Sequence, residues 1–199
     1  MRNTERVKAK ADTDAFVGQV VWSPSKSTWF ISHSLAVILV APFVATFSSV
    51  AIFIVLTGIT LCFGHSLGMH RLLIHRSYEC PKWMEYLFVY LGTLVGMAGP
   101  IGMMKQHDLR DWAQRQSRCH DYLLHGSSIV KDGWWQLNCD LKLENEPDFN
   151  IEEDVLSDPF YRFIESTWMW QQLVLAVPLY WVGGLSWLVW GISVRIVVS

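Results

Sequence analysis

Charge is scarce in this sequence. Of 199 residues, 17% are Asp, Glu, Lys or Arg, against about a quarter in an ordinary soluble domain. The formal net charge is -2, so a basic nucleic-acid-binding face is excluded. The four cysteines, Cys62, Cys80, Cys119 and Cys139, include no C-x-x-C pair. That argues against a zinc ribbon, a thioredoxin-like dithiol and a disulfide framework. Met1 to Val21 is polar and of mixed charge, without the apolar stretch of a secretory signal. What the chain has instead is apolar bulk: 51% hydrophobic residues and a mean hydropathy of +0.23. Its abundant aromatic and β-branched residues exclude disorder.

The longest absence is the most informative. Ser27 to His70 is a run of 44 positions without Asp, Glu, Lys or Arg. One bilayer crossing takes about 20 apolar residues, so the run predicts two crossings and a short turn, for which Ser48-Ser49 is the best candidate. Ser166 to Ser199 is a second membrane candidate with Arg195 as its only charge, divided by Gly183-Gly184 and open to a kink at Pro178. Its last part, Leu185 to Ser199, is 15 residues, short of a full span. This is the pattern expected of a fragment. Arg2, Arg6, Lys8, Lys10 and Lys26 precede the first span, and ten further basic residues lie between Arg71 and Arg162. The positive-inside rule then predicts a cytoplasmic N-terminus and a cytoplasmic central segment. Trp22, Trp29, Trp168 and Trp170 fall near the proposed span ends, where indole rings suit the interface.

A further apolar run, Tyr86 to Met104, has 19 residues. A crossing there would separate His70 and His75 from His107. Gly92, Gly96, Gly99 and Pro100 weaken it as a spanning helix, so an interfacial helix is expected. The segment from Asp140 to Asp158 holds eight acidic residues and Pro147. It reads as a solvated connector, or as a docking patch for a donor protein.

Seven histidines are present, and six of them, His65, His70, His75, His107, His120 and His125, fall at or after the end of the second crossing. Neutral imidazole suits iron, zinc, copper and nickel. His70 and His75 form an H-x4-H spacing that His65 and His70 repeat. On a straight α-helix such a pair differs by about 140° in azimuth, so the two converge on one metal only if the helix ends or bends between them.

The stretch Gly68-Met-His-Arg-Leu-Leu-Ile-His-Arg-Ser-Tyr78 resembles the first histidine box of membrane fatty acid desaturases. Gly99-Pro-Ile101 followed by His107 resembles the approach to the second box. Trp134-Trp135, Asp158 to Arg162, and Gly183-Gly184 through Val194-Arg195 are similar to later family segments, in the family's own order. The resemblance implies a four-span helical membrane protein with a di-iron centre, an acyl-CoA or acyl-lipid substrate, membrane lipid around it, and an electron donor of ferredoxin or cytochrome type. It implies His70, His75 and His107 as metal ligands. It also implies O2-dependent introduction of a double bond into a fatty acyl chain, a reaction that needs a redox metal.

The sequence departs from the family where the second box should read H-x-x-H-H. It has His107-Asp108-Leu109-Arg110-Asp111. Arg110 has no lone pair to offer a metal. Asp111, one helical turn from His107, is either an oxygen ligand or an ion-pair partner of Arg110 or Arg115. His120 and His125 are weaker candidates, each more simply read as a polar loop histidine, and His65 is a weaker candidate that also reads as a hydrogen-bonded histidine at a span end. The third box is absent and would lie beyond Ser199, so the di-iron centre is expected to be incomplete in this chain. The expected fold class is an all-α integral membrane protein: a transmembrane helical hairpin, a cytoplasmic or interfacial helical segment, then a second, incomplete transmembrane hairpin. Residues 1–27 form a polar N-terminus and 28–199 the membrane domain. Two other functions fit parts of the sequence: a non-catalytic protein on a desaturase scaffold, and a b-type haem protein using His33 and His65, which lie at similar distances from the predicted turn.

Overall fold

The computed structural model describes residues 6–124 and 128–199. It is mostly helical. In chain order the elements are β1 (Val7–Lys8), β2 (Gly18–Trp22), α1 (Pro24–Leu39), α2 (Phe47–Gly58) running into a π-helical segment (Ile59–Ile74), α3 (Lys82–Thr93), α4 (Pro100–Gln114), α5 (Asp121–Leu124), α6 (Ile129–Asn138), β3 (Cys139–Leu143), β4 (Asp148–Phe149), α7 (Glu153–Leu156), α8 (Pro159–Thr167), α9 (Gln171–Leu188), a second π-helical segment (Val189–Val194) and α10 (Arg195–Val198). Among the described residues, one compact unit is built from 32–104 and 153–199, the other from 6–31 and 105–152.

The first unit holds the apolar helices. Phe47–Ile74 and Gln171–Val198, 28 residues each, are long and apolar enough to cross a membrane by length and composition. The second is not a straight rod. Gly184 sits at φ 60° and ψ -153°, a conformation open to glycine because it has no Cβ. The chain turns back there: Arg195 Nη2 donates to Gln172 Oε1 at 2.5 Å, although a continuous helix would hold residues so far apart in sequence about 35 Å from each other. The reversal lies beside the turn that follows α1, where Ser186 Oγ donates to the Val44 carbonyl at 2.7 Å and Trp190 Nε1 to the Ala41 carbonyl at 3.2 Å.

That first turn occupies Val40 to Thr46, not Ser48-Ser49. Pro42 lies in the 3-10 turn Ala41–Phe43, and Thr46 caps α2: its hydroxyl accepts from the Ser49 amide at 3.1 Å while Ser49 Oγ accepts from the Thr46 amide at 2.9 Å. The two serines therefore lie in the first turn of the helix. The same hydroxyl chemistry serves turns and N-caps, which is why they read as a turn. The apolar helix of the last segment likewise starts at Gln171, after α8 has ended at Thr167, rather than at Ser166.

The run Tyr86 to Met104 does not form one helix. α3 ends at Thr93, Gly96 takes φ 86°, and Pro100 opens α4. Twelve residues of α3 reach about 18 Å, well short of a hydrocarbon core of about 30 Å. α3 instead packs along the first π-helical segment at glycine contacts. A Cβ on Gly64 would lie 2.3 Å from the Gly92 amide nitrogen, and one on Gly68 would lie 2.4 Å from the Phe88 carbonyl oxygen. The start of α3 is tied to α8 by a polar cluster. Tyr161 donates to the buried Glu85 carboxylate, Lys82 Nζ bridges Glu85 at 2.8 Å and Asp158 at 3.3 Å, and Tyr86 donates to Asp158 at 2.8 Å. Asp158 also caps α8 through the Phe160 amide at 2.9 Å. Burial pushes its pKa up, but the hydrogen bonds from Tyr86, Phe160 and Lys82 outweigh it and leave Asp158 below the usual carboxylate value.

The second unit corrects the all-α expectation. β2 pairs antiparallel with β3, placing Trp22 opposite Cys139, and β1 pairs with β4. The acidic stretch read as a solvated connector thus supplies two strands. Its alternation hides Cys139 and Leu143 while charged neighbours face outward, a period-2 pattern that the density of acids obscured. Ala15, Ala113, Cys119, Tyr122 and Leu123 form the core, with Trp112 and Trp135 against it. Burial raises the Tyr122 hydroxyl to about 12, and it donates to the Cys139 carbonyl at 2.9 Å.

Arg6, in the polar N-terminal stretch, is buried. Its guanidinium forms a fork with Glu152 at 2.8 and 2.9 Å and reaches Asp108 at 3.3 Å. Burial works against the charge, but the two carboxylates outweigh it and raise its pKa. Removing one member strands the others in a partly buried site. Arg6→Met is expected to destabilise the protein by about 3–5 kcal/mol, read as a lower denaturation midpoint, and Arg6→Lys should recover only part because lysine cannot make the fork.

Candidate metal centre

Helix winding brings the first two candidate ligands together. Between Ile59 and Ile74 the backbone closes i to i+5 hydrogen bonds, and the His75 amide donates to the His70 carbonyl at 3.0 Å. In that winding, residues five apart lie nearly above one another, whereas an α-helix would splay them. His70 Nε2 and His75 Nε2 are 3.2 Å apart, with ring centroids at 4.4 Å and ring planes at 80°. Two imidazole nitrogens bound at about 2.0–2.1 Å to one ion stand about 3–3.4 Å apart for ordinary ligand angles. The pair therefore fits a shared transition-metal ion, and imidazole is a suitable donor for iron.

The chain just after His75 is held in place. Arg76 adopts φ 47°, a left-handed conformation that costs energy in a non-glycine residue and gathers at functional sites. Its guanidinium reaches Asp154 at 3.5 Å. The Ser77 amide donates to the Arg71 carbonyl at 2.8 Å, and the Tyr78 hydroxyl to the Leu67 carbonyl at 3.2 Å. These contacts fix where the helix stops, and so where His75 stands. His65 lies one such turn before His70, half-buried.

The remaining candidates lie on other segments of the chain. His107 lies on α4, half-buried, with Nδ1 3.5 Å from the Asp108 carboxylate that Arg6 holds. The N-terminus of α4 is capped by Glu165 of α8, whose carboxylate accepts from the Ile101 amide at 2.8 Å and the Gly102 amide at 3.2 Å. Asp111 is exposed; Arg115 donates to its backbone carbonyl at 3.0 Å, and Arg110 donates to Gln136 at 3.0 Å. His120 accepts from the Tyr122 amide at Nδ1, 3.1 Å away, and burial lowers its pKa. His125 lies outside the described residues. His33 Nδ1 is 3.1 Å from Ser193 Oγ. No sequence motif marks Glu165, and Arg6 and Tyr78 stand in the sequence only as one of several basic residues and as the end of the Gly68–Tyr78 stretch. Glu165 left one signal: Pro100 opens a helix whose next amides need an acceptor.

The described residues combine two helices long and apolar enough to cross a membrane with a closely spaced histidine pair, and comparison with known proteins gives the family. The chain is 34% identical over 160 residues to the palmitoyl-monogalactosyldiacylglycerol delta-7 desaturase of Arabidopsis thaliana, covering 80% of this chain and 43% of that protein. It is 31% identical over 156 residues to the sn-1 stearoyl-lipid 9-desaturase of Anabaena variabilis (76% and 55%). It is 31% identical over 219 residues to the icosanoyl-CoA 5-desaturase of Limnanthes douglasii (98% and 59%). These similarities assign the chain to the fatty acid desaturase family. The chain spans about half the length of these curated relatives. No protein-family profile matches it, and no solved structure gives a match.

Proposed function

We propose that this chain is part of an integral membrane fatty acid desaturase whose histidines hold iron. The observation that carries the reading is the His70–His75 pair, with Nε2 atoms 3.2 Å apart on a π-helical turn. Relatives named for acyl-lipid and acyl-CoA desaturation support the substrate class. Bound iron would supply the O2-dependent oxidation that no side chain can perform on an unactivated methylene pair. In this reading His70 and His75 are the core ligands and His107 a third, with Asp111, His120, His125 and His65 as further candidates for an incomplete di-iron set. The π-helical winding presents the first two imidazoles, and the Arg76–Asp154 and Tyr78–Leu67 contacts hold the end of the helix. Residues 28–199 form the membrane domain, with residues 1–27 polar. Phe47–Ile74 crosses the bilayer and Gln171–Val198 enters it as a bent pair. The charge distribution supports a cytoplasmic side for the N-terminus and the histidines. Electrons would come from a ferredoxin- or cytochrome-type donor.

The test is reconstitution of the whole desaturase that contains this chain in phosphatidylcholine vesicles with Fe(II), O2, a ferredoxin-based reductant and an acyl-CoA or acyl-lipid substrate. Mass spectrometry of the acyl chains is expected to show loss of two hydrogens. Iron binding without any oxidised product would instead favour a non-catalytic protein on a desaturase scaffold, the reading motivated by Arg110 and Asp111 in the second box.

A further inference from the structure

The face that α6 leaves uncovered is its apolar one. Ile129, Val130, Gly133, Trp134 and Leu137 follow the spacing of a single helical stripe. Ile129 is 91% exposed, Val130 82% and Trp134 55%. The opposite side faces protein: Trp135 stacks on Tyr122 at 6.1 Å, and Gln136 Nε2 donates to the Tyr122 carbonyl at 2.9 Å. Exposing the greasiest stripe of an amphipathic helix to water is unfavourable, by about 25 cal/mol per Å² of apolar surface.

The location of α6 points to what covers that stripe. Its C-terminal end is fastened to the start of α1. The Ser23 amide donates to the Asn138 carbonyl at 2.8 Å, Lys26 Nζ to the Cys139 carbonyl at 3.0 Å, and Lys26 pairs with Asp140 at 2.6 Å. Trp22 stands at the same junction, 61% exposed, its indole N–H on Ser27 Oγ at 2.7 Å. From Ser27 onward α1 is uncharged and exposes Ile31, Leu35, Ile38 and Leu39. α6 is thus tied to the level where the chain passes from charged to apolar residues. Two exposed tryptophans and the exposed Lys131 beside that apolar stripe match the chemistry of a headgroup layer.

We propose that α6 is an interfacial helix, lying in the bilayer surface with Ile129, Val130 and Trp134 among the first acyl carbons. This rests on the membrane reading above. The test uses the full chain in phosphatidylcholine–phosphatidylglycerol vesicles doped with a phospholipid bearing a diazirine near the acyl carboxyl end. After irradiation, lipid adducts are mapped by mass spectrometry. Adducts on residues 129–137 are expected at several times the level on residues 144–150. The double variant Ile129→Glu, Val130→Glu should lower them several-fold without changing adducts on Phe47–Ile74. Adducts on Phe47–Ile74 with only background on 129–137 would overturn the inference and indicate that protein covers this face. Background labelling of both would overturn the membrane reading itself.

Discussion

Alanine at His70 or His75 is expected to remove most of the iron that the proposed site would hold and to lower the proposed acyl oxidation by more than 100-fold. Altering groups that merely orient metal ligands costs about 10–100-fold, and loss of a ligand from a pair should cost more. The two Nε2 atoms are 3.2 Å apart, so in the proposed iron site each histidine would supply half of a chelate and the variants should fail to a similar degree. Bound iron per chain, measured by elemental analysis after gel filtration, separates this outcome from a loss of activity alone. Circular dichroism should be unchanged, because the i to i+5 bond from His75 to His70 is made by the backbone. Full iron retention in His75→Ala would count against His75 as a ligand.

Leucine at Gly64 or Gly68 is expected to unfold the first unit or prevent its assembly. A Cβ at Gly64 would stand 2.3 Å from the Gly92 nitrogen, and a Cβ at Gly68 would stand 2.4 Å from the Phe88 oxygen. These neighbours are backbone atoms and cannot rotate away, so α3 as a whole must move. Overpacking typically costs about 1–3 kcal/mol and occasionally more; a displaced helix lies at the upper end. Total stability is about 5–15 kcal/mol, so a severe drop in folded yield should follow. Gly58 is the internal control. It lies on the same long helix with nothing within 4 Å of a built Cβ. Gly58→Ala should be neutral or stabilising by about 0.5–1 kcal/mol. Monodispersity in detergent and thermal melting of the three variants would decide. Equal effects at Gly58 and Gly64 would show that helix propensity, not close approach, governs the segment.

Much of the helical framework could be read along the chain, because its signals are local. The uncharged run from Ser27 to His70 covers most of α1, all of α2 and the π-helical segment as far as His70. Gly183-Gly184 marks the point where the chain reverses. The first turn lies a few residues ahead of Ser48-Ser49; the two serines read as a turn because serine hydroxyls serve both turns and helix caps. The strands around Gly18–Trp22 and Cys139–Leu143 were missed for a different reason: each is stabilised by a partner more than a hundred residues away, and their own alternation is masked by charge. In the sequence Arg6 is one of several basic residues ahead of the first span, and only the fold closes Asp108 and Glu152 around it.

For the candidate site, the sequence by itself determined which residue types are available: imidazoles at His70 and His75, five apart, at the end of an apolar helix. It also specified the desaturase-like order of motifs. Whether those two rings meet was a matter for tertiary structure. An isolated helix prefers α-winding, which would turn them away from each other. The wider π-winding that aligns them occurs where α3 lies against Gly64 and Gly68 and where Arg76 and Tyr78 stop the helix. Local pattern sets what a residue can bind, but the path of the backbone under long-range packing sets whether two such residues share one ion.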